Sequence, residues 1–266
     1  MIIGGLQKFS LLDYPGHLAA IIFTQGCNFR CHFCYNPMLV RPPDDLLYAS
    51  VPTGRKVGAE AKDHRLAPSD LFVFLKSRAG KLEGVVITGG EPTIHPDLPD
   101  FIGQIRELGF KIKLDTNGTN PEMLADLIEN KLIDYLAMDI KGSPARYGEV
   151  VGVAVYPVKS PLERGAAELQ FNGVNLENIK KSVKIIMESG LPYEFRTTLV
   201  PGLVDKKDIK AMGEWLHGAK KWYLQQFKSD IELVNNDYQG ASGFKTKELE
   251  ELKASAATYV EVCELR

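Results

Sequence analysis

The sequence predicts an α/β fold, a partial TIM-like (β/α)6 barrel. Two observations carry the prediction. Short β-type runs alternate with amphipathic stretches from Ala19 onward, the pattern of parallel strands joined by crossover helices. Chemically unusual residues recur just after those runs, and in parallel barrels the sites gather at the carboxyl ends of the strands.

Taken in order, the strands are expected at Ala19 to Thr24, Gly84 to Thr88, Lys111 to Asp115, Tyr135 to Asp139, Glu194 to Leu199 and Trp222 to Gln226. Between them, helices start near Pro68-Ser69-Asp70, Pro96-Asp97, Pro121-Glu122, Asn175-Leu176 and Val204-Asp205, where Pro, Asn or Asp supplies helix-start chemistry. A last helix near Thr246 makes the C-terminal end helical. Residues 41–67, rich in Pro and charge, and 142–173, with scattered Gly and Pro, interrupt the rhythm and read as insertions on the barrel rim. The whole of 1–266 is expected to form one domain, since 266 residues with 44% hydrophobic content can build a single sizeable core.

Composition narrows the function classes. The 32 Lys and Arg nearly balance the 34 Asp and Glu, so no global pull toward nucleic acid or anionic lipid is expected. Met1 to Leu11 lacks a basic segment followed by an apolar stretch, and Leu18 to Phe23 is far shorter than the roughly 20 residues that span a bilayer. No membrane is expected, and the location is expected to be cytoplasmic. Three of the four cysteines crowd into Cys27-Asn28-Phe29-Arg30-Cys31-His32-Phe33-Cys34, a poor disulfide framework and a good metal cluster. Cys263 reads as an ordinary free thiol.

Three soft thiolates on one loop suit an iron–sulfur cluster. A cubane has four irons, so three ligands leave one open, as catalytic metal sites require. A zinc site completed by His32, His64 or Cys263 is the competing reading, although zinc sites usually show two separated ligand pairs. Gly89-Gly90-Glu91-Pro92 after the second strand could be a plain glycine turn. Asp115-Thr116-Asn117-Gly118 contains a turn signal that needs no chemistry. Asp139 and Lys141 leave the same face of a strand end, either as a surface ion pair or as site groups. His32 reads as a packing or hydrogen-bonding residue, His95 as a loop residue, and His64 and His217 as solvent-side.

The three-cysteine spacing, with Phe33 before the last cysteine, resembles the signature of the radical S-adenosylmethionine (SAM) superfamily, and the barrel is then of the radical SAM type. The resemblance implies one [4Fe–4S] cluster on Cys27, Cys31 and Cys34, with the fourth iron open to the amino and carboxylate groups of SAM. It also implies reductive cleavage of SAM to methionine and a 5′-deoxyadenosyl radical, which abstracts a hydrogen atom. The protein then binds, orients and excludes water. Under the same resemblance Gly89, Gly90, Glu91 and Pro92 match the G-G-E-P element that receives the methionyl ammonium. Asp115, Thr116 and Asn117 supply polar groups for the adenosine and methionine parts, and Lys141 meets the methionyl carboxylate while Asp139 orders the site. Arg196, in Arg196-Thr197-Thr198-Leu199-Val200-Pro201-Gly202, falls in a matching stretch and touches either the cofactor or the barrel network.

Finer likeness lies in Gly5-Leu6-Gln7-Lys8-Phe9-Ser10-Leu11-Leu12-Asp13-Tyr14-Pro15-Gly16, in Phe23 to Cys31 and in Cys34-Tyr35-Asn36-Pro37. These resemble activating proteins of anaerobic ribonucleoside-triphosphate reductase, over about residues 3 to 230. The likeness implies that the substrate is one glycine of that large glycyl-radical enzyme, with electrons from an external flavodoxin or ferredoxin. Tyr35, where many relatives carry His, and the long 142–173 segment depart from the pattern. The long segment leaves open another glycyl-radical partner, such as pyruvate formate-lyase, or a small-molecule substrate.

Overall fold

The computed structural model describes residues 1–40, 66–153 and 174–266. Among these residues one eight-stranded sheet runs in chain order. Strand β1 (Ile3–Ser10) is antiparallel to β2 (Ala19–Thr24); β3 (Gly84–Gly89), β4 (Lys111–Thr116), β5 (Tyr135–Asp139), β6 (Tyr193–Leu199), β7 (Ala219–Gln226) and β8 (Val260–Leu265) then follow, each parallel to the one before. The helices are α1 (Pro37–Val40), α2 (Pro68–Arg78), α3 (Leu98–Glu107), α4 (Pro121–Glu129), α5 (Tyr147–Val151), α6 (Leu176–Glu188), α7 (Lys206–Trp215) and α8 (Thr246–Ala256).

All six expected strands are present, and two more correct the count. Strand β1 has two glycines and a Gln-Lys pair, and its pairing with β2 shifts register twice, so no period-two pattern survives in its sequence. Strand β8 follows the expected last helix, so the C-terminal end is a helix and then a strand. Its Val-Glu-Val-Cys-Glu-Leu sequence does not alternate, and its half-buried residues, Val260, Cys263 and Leu265, fall on both faces, as suits a short edge strand. The expected insertions fall mostly at 41–65 and 154–173, outside the described residues; the described start of the second contains α5.

The helix starts follow the side-chain chemistry. Pro occupies the first turn of α2, α3 and α4. Asn120 accepts from Met123 N, Asn175 from Glu177 N, and Asp205 forms a reciprocal capping box with Asp208. Each such cap contributes about 1 kcal/mol.

Period-two alternation divides the sheet into two unlike faces. The outer face, with Val85, Ile87, Ile112, Leu114, Leu136, Met138 and Phe195, joins the main apolar core, to which the helices contribute Leu71, Leu75, Ile102 and Leu124. Burying each such side chain stabilises by roughly 1.5–3 kcal/mol. The inner face keeps a small apolar cluster of Tyr14, Ala19, Ile21, Val86 and Tyr135. Tyr14 closes the floor there. A Cβ on Gly84 would lie 2.8 Å from the Tyr14 ring, so this close seat needs glycine. Above it the inner face turns charged, and that polarity positions the site.

Candidate active site

The Cys27–Cys34 loop leaves the carboxyl end of β2 and is held by neighbours from several other elements. Gly26 N donates to Leu39 O at 2.7 Å, and Arg30 N donates to Val151 O, at the end of α5, at 2.8 Å. Arg30 Nη1 returns to the carbonyls of Cys27 and Phe29, each at 2.7 Å. From beyond β7, Asn235 N donates to His32 O at 3.1 Å and Lys228 N to the Tyr35 hydroxyl at 2.9 Å. The His32 ring stacks on Tyr238 and meets Asn235 Nδ2 at 3.3 Å. That is the expected packing role, and it turns the imidazole to a partner other than the thiols.

Cys27 and Cys31 are buried and Cys34 is half-buried. Burial pushes the Cys31 thiol up to about 12 despite nearby Lys141, and pushes the Cys27 and Cys34 thiols up as well. Three crowded thiols with one neighbouring ammonium gain by exchanging their protons for metal. Among the described residues, no three His, Cys, Asp or Glu side chains converge on a point that would hold a single ion. Cys263 pairs in register with Trp222, whose indole belongs to the outer, helix-facing core.

The glycine pair locks a second turn against this loop. Gly89 has φ of +117°, and a Cβ on Gly90 would sit 1.8 Å from Gly26 O. Glu91 N donates to that same carbonyl at 2.8 Å. The backbone approach, more than any side chain, is what these glycines permit. Glu91, 1% exposed, receives Thr93 N and Oγ1 and Thr116 Oγ1 on Oε1, and Asn117 N on Oε2. Burial raises its carboxyl above the usual range against those four bonds. Its carboxylate therefore joins the G-G-E-P turn to the turn after β4. Asn117 Nδ2 reaches back to Asn28 Oδ1 at 2.8 Å, and Asn28 Nδ2 reaches Thr119 Oγ1 at 2.8 Å, so the three turns form one bonded rim.

Inside that rim a chain of alternating charge crosses β4, β5 and β6. Lys141 Nζ donates to Asp139 Oδ2 at 2.9 Å, Arg196 Nε to Asp139 Oδ1 at 2.8 Å, and Arg196 Nη1 to Asp115 Oδ2 at 3.0 Å. Lys113 Nζ closes the chain on Asp115 Oδ1. Burial alone would raise both carboxyls, but Arg196 with Lys141 holds Asp139, and Arg196 with Lys113 holds Asp115, below the usual carboxylate range. Lys141 stays charged in the same way: burial lowers it, and the Asp139 carboxylate beside it more than restores it. Its Nζ also lies 6.0 Å from the centre of the buried Phe33 ring, which ties the charge chain to the cysteine loop.

Every expected site residue therefore lies at one end of the sheet. Sequence reasoning missed Asn28 and Thr119 as rim ties, and Lys113. A lysine two residues before Asp115 on a strand shares its face, and that was the available signal.

The chain matches the Radical SAM superfamily model over residues 21–216. It belongs to that superfamily. It is a radical SAM enzyme, and the family works with a [4Fe–4S] cluster and SAM. The soft three-thiol loop fits the first. The two-cation, two-carboxylate mouth formed by Lys141, Arg196, Asp139 and Asp115 fits a ligand that carries both an ammonium and a carboxylate.

Among relatives, this radical SAM protein is 28% identical over 262 residues to a protein of Methanocaldococcus jannaschii provisionally named as a glycyl-radical enzyme activating enzyme, covering 98% of this chain and 93% of the other. It is 25% identical to the pyruvate formate-lyase-activating enzyme of Streptococcus mutans, over 93% of this chain and 81% of that one. The crystal structure of Streptococcus suis SuiB bound to S-adenosylmethionine superposes with a TM-score of 0.58 at 16% identity, over 92% of this chain. This chain spans about half of SuiB, 49%, and the likeness is one of fold. No helix among the described residues is long and apolar enough to cross a membrane.

Proposed function

We propose that this protein is an activating enzyme for a glycyl-radical enzyme, and that its partner is anaerobic ribonucleoside-triphosphate reductase. The observation that carries the first part is co-extension: the chain spans nearly the full length of relatives named as activating enzymes. The finer choice of reductase rests on the Gly5 to Gly16 stretch and on Cys34-Tyr35-Asn36-Pro37.

When bound, cluster and SAM supply a one-electron cleavage: an electron from an external flavodoxin or ferredoxin breaks the sulfonium–C5′ bond, and a glycine Cα hydrogen passes to C5′, leaving a glycyl radical. The chain's own residues do the rest. Cys27, Cys31 and Cys34 hold the iron. The backbone oxygens of Gly89-Gly90-Glu91 face the methionyl ammonium, while the Glu91 carboxylate, already bonded four times, fixes the turn that presents them. Lys141 takes the methionyl carboxylate, Asp139, itself gripped by Arg196, holds Lys141 in place, and Asp115, Thr116 and Asn117 line the nucleoside side beside Phe33. The substrate glycine enters where the sheet is open: among the described residues no pairing joins β1 to β8, so a backbone segment can approach from that side.

The test is anaerobic reconstitution with iron and sulfide, reduction, and assay of 5′-deoxyadenosine with and without the reductase subunit. Product together with a glycyl radical signal on that subunit supports the reading. Product with a radical only on a formate-lyase-type partner, favoured by the Streptococcus mutans relative, would replace the partner. Product stimulated by a metabolite alone would indicate a small-molecule enzyme.

A further inference from the structure

Tyr147 opens α5, the short helix that seats the cysteine loop. Arg30 N donates to Val151 O at 2.8 Å, and a Cβ on Gly152, where φ is +64°, would lie 2.4 Å from Arg30 O, so the end of α5 and the loop are in backbone contact. The Tyr147 ring meets Phe29 of the same loop edge-on, with ring centres 6.2 Å apart, and Trp215 of α7 at the same separation. Every one of these contacts needs only the ring, and phenylalanine would make them all. The hydroxyl calls for a reason beyond packing.

Among the described residues, buried side-chain polar atoms of His95, Tyr147 and Gln226 have no hydrogen-bond partner, and of these three residues Tyr147 alone is fully buried, at 0% exposed. Buried hydroxyls are nearly always paired, because an unpaired one forfeits its hydration. The Lys141 backbone amide acts on the phenolic oxygen, but an N–H can only donate, so the phenolic proton has no acceptor among the described residues. Burial pushes the hydroxyl above the ordinary tyrosine range, and the charges that reach it are those of Lys141, Cys31 and Asp139, all groups of the candidate site. Its ring neighbours Phe29 and Trp215 offer no acceptor, and a buried water is held by about three polar partners. An iron–sulfur cluster on the cysteine loop brings anionic sulfur, a hydrogen-bond acceptor, to this place.

We propose that the Tyr147 hydroxyl donates a hydrogen bond to a sulfur at the Cys31 corner of the cluster and thereby raises the cluster's reduction potential. This rests on the ligand set Cys27, Cys31 and Cys34 of the proposed function. The sign follows from charge: reduction adds one negative charge to the cluster, so a donor is held more tightly by the reduced form and favours it, and hydrogen bonds to the sulfurs are among the levers that set such potentials. Tyr147 would thus ease the electron's arrival from the external donor, while α5 carries the hydroxyl to the cluster and the aromatic contacts hold it there.

The test is Tyr147→Phe, which removes one oxygen and keeps the ring. Wild type and variant are reconstituted anaerobically with iron and sulfide, and the midpoint potential of each is measured without SAM by titration with dithionite, followed through the paramagnetic signal of the reduced cluster. Iron and sulfide contents are expected to match. The variant's potential is expected to fall by roughly 30–60 mV, a change of about three- to tenfold in the ratio of oxidised to reduced cluster at a fixed potential. An unchanged or higher potential overturns the proposal, and so does a folded variant that takes up no iron, because the hydroxyl would then serve assembly. Urea unfolding of the unloaded proteins gives a second readout: Tyr147→Phe is expected to unfold at a concentration no lower than wild type, since no bond within the chain is lost. A lower midpoint, or failure to fold, would mean that the hydroxyl has its acceptor in the chain and overturns the proposal. Wild type that takes up no iron and sulfide refutes instead the cluster site on which the proposal rests.

Discussion

Arg196 donates from Nε to Asp139 at 2.8 Å and from Nη1 to Asp115 at 3.0 Å, so one guanidinium on β6 bridges carboxylates that end β5 and β4. Arg196 and Asp139 stand in register on adjacent strands, which places the pair by sheet geometry alone. Removing the guanidinium leaves two largely buried carboxylates with reduced pairing. Arg196→Met is therefore expected to cost about 3–5 kcal/mol of stability, the range for breaking one side of a buried ion pair. Urea unfolding of the unloaded protein measures it, and a change under about 1 kcal/mol would contradict the bridge.

The same bridge sets a pH dependence. Asp115 and Asp139 have folded-state pKa values below the unfolded value of about 3.9. Their stabilisation is therefore fully present above that value and is lost as pH falls through the folded one. Stability attributable to Arg196, measured as wild type minus Arg196→Met, is expected to be flat from pH 7 to about pH 5 and to shrink only in stronger acid. A difference that already collapses near pH 6 would mean that other groups hold the strand ends.

Gly90 carries no strained φ, yet its Cβ would lie 1.8 Å from Gly26 O. Gly90→Ala is expected to push the G-G-E-P turn off the cysteine loop and to lower iron incorporation sharply, while far-ultraviolet circular dichroism stays close to wild type. Full iron loading of Gly90→Ala would show that the two turns need not touch.

Cys27→Ala is expected to abolish the cluster absorbance and SAM cleavage, and Cys263→Ala to leave both intact. The second thiol sits on β8 facing the helical layer, in register with Trp222. Iron and sulfide analysis of the two reconstituted variants decides; equal losses would remove the ligand assignment.

Lys141→Ala should retain the cluster and weaken SAM binding by roughly 1.5–3 kcal/mol, the worth of a charge-assisted hydrogen bond. Equilibrium binding to the reconstituted variant checks it. Unchanged affinity would return Lys141 to a purely internal pair with Asp139.

Much of this was legible in one dimension. The six central strands announce themselves through short apolar and aromatic runs, the helices through Pro, Asn and Asp at their starts, and the thiol cluster through its spacing. Such signals are local, because propensity, capping and ligand spacing act within a few residues. Strands β1 and β8 escaped because an edge strand owes its existence to the neighbour it pairs with, and pairing partners far apart in sequence leave little local trace. Glu91 illustrates the same boundary. Its motif marked it as a site residue, but only the fold shows its carboxylate spent on Thr93, Thr116 and Asn117. Lys113 is the sharpest case, an unremarkable lysine in a strand until the sheet curls its face inward beneath Asp115. What the sequence determined by itself was the chemistry, three soft ligands and a set of charged strand ends. Which charge meets which was decided by tertiary structure, because strand register and the two-faced alternation of the sheet set those distances.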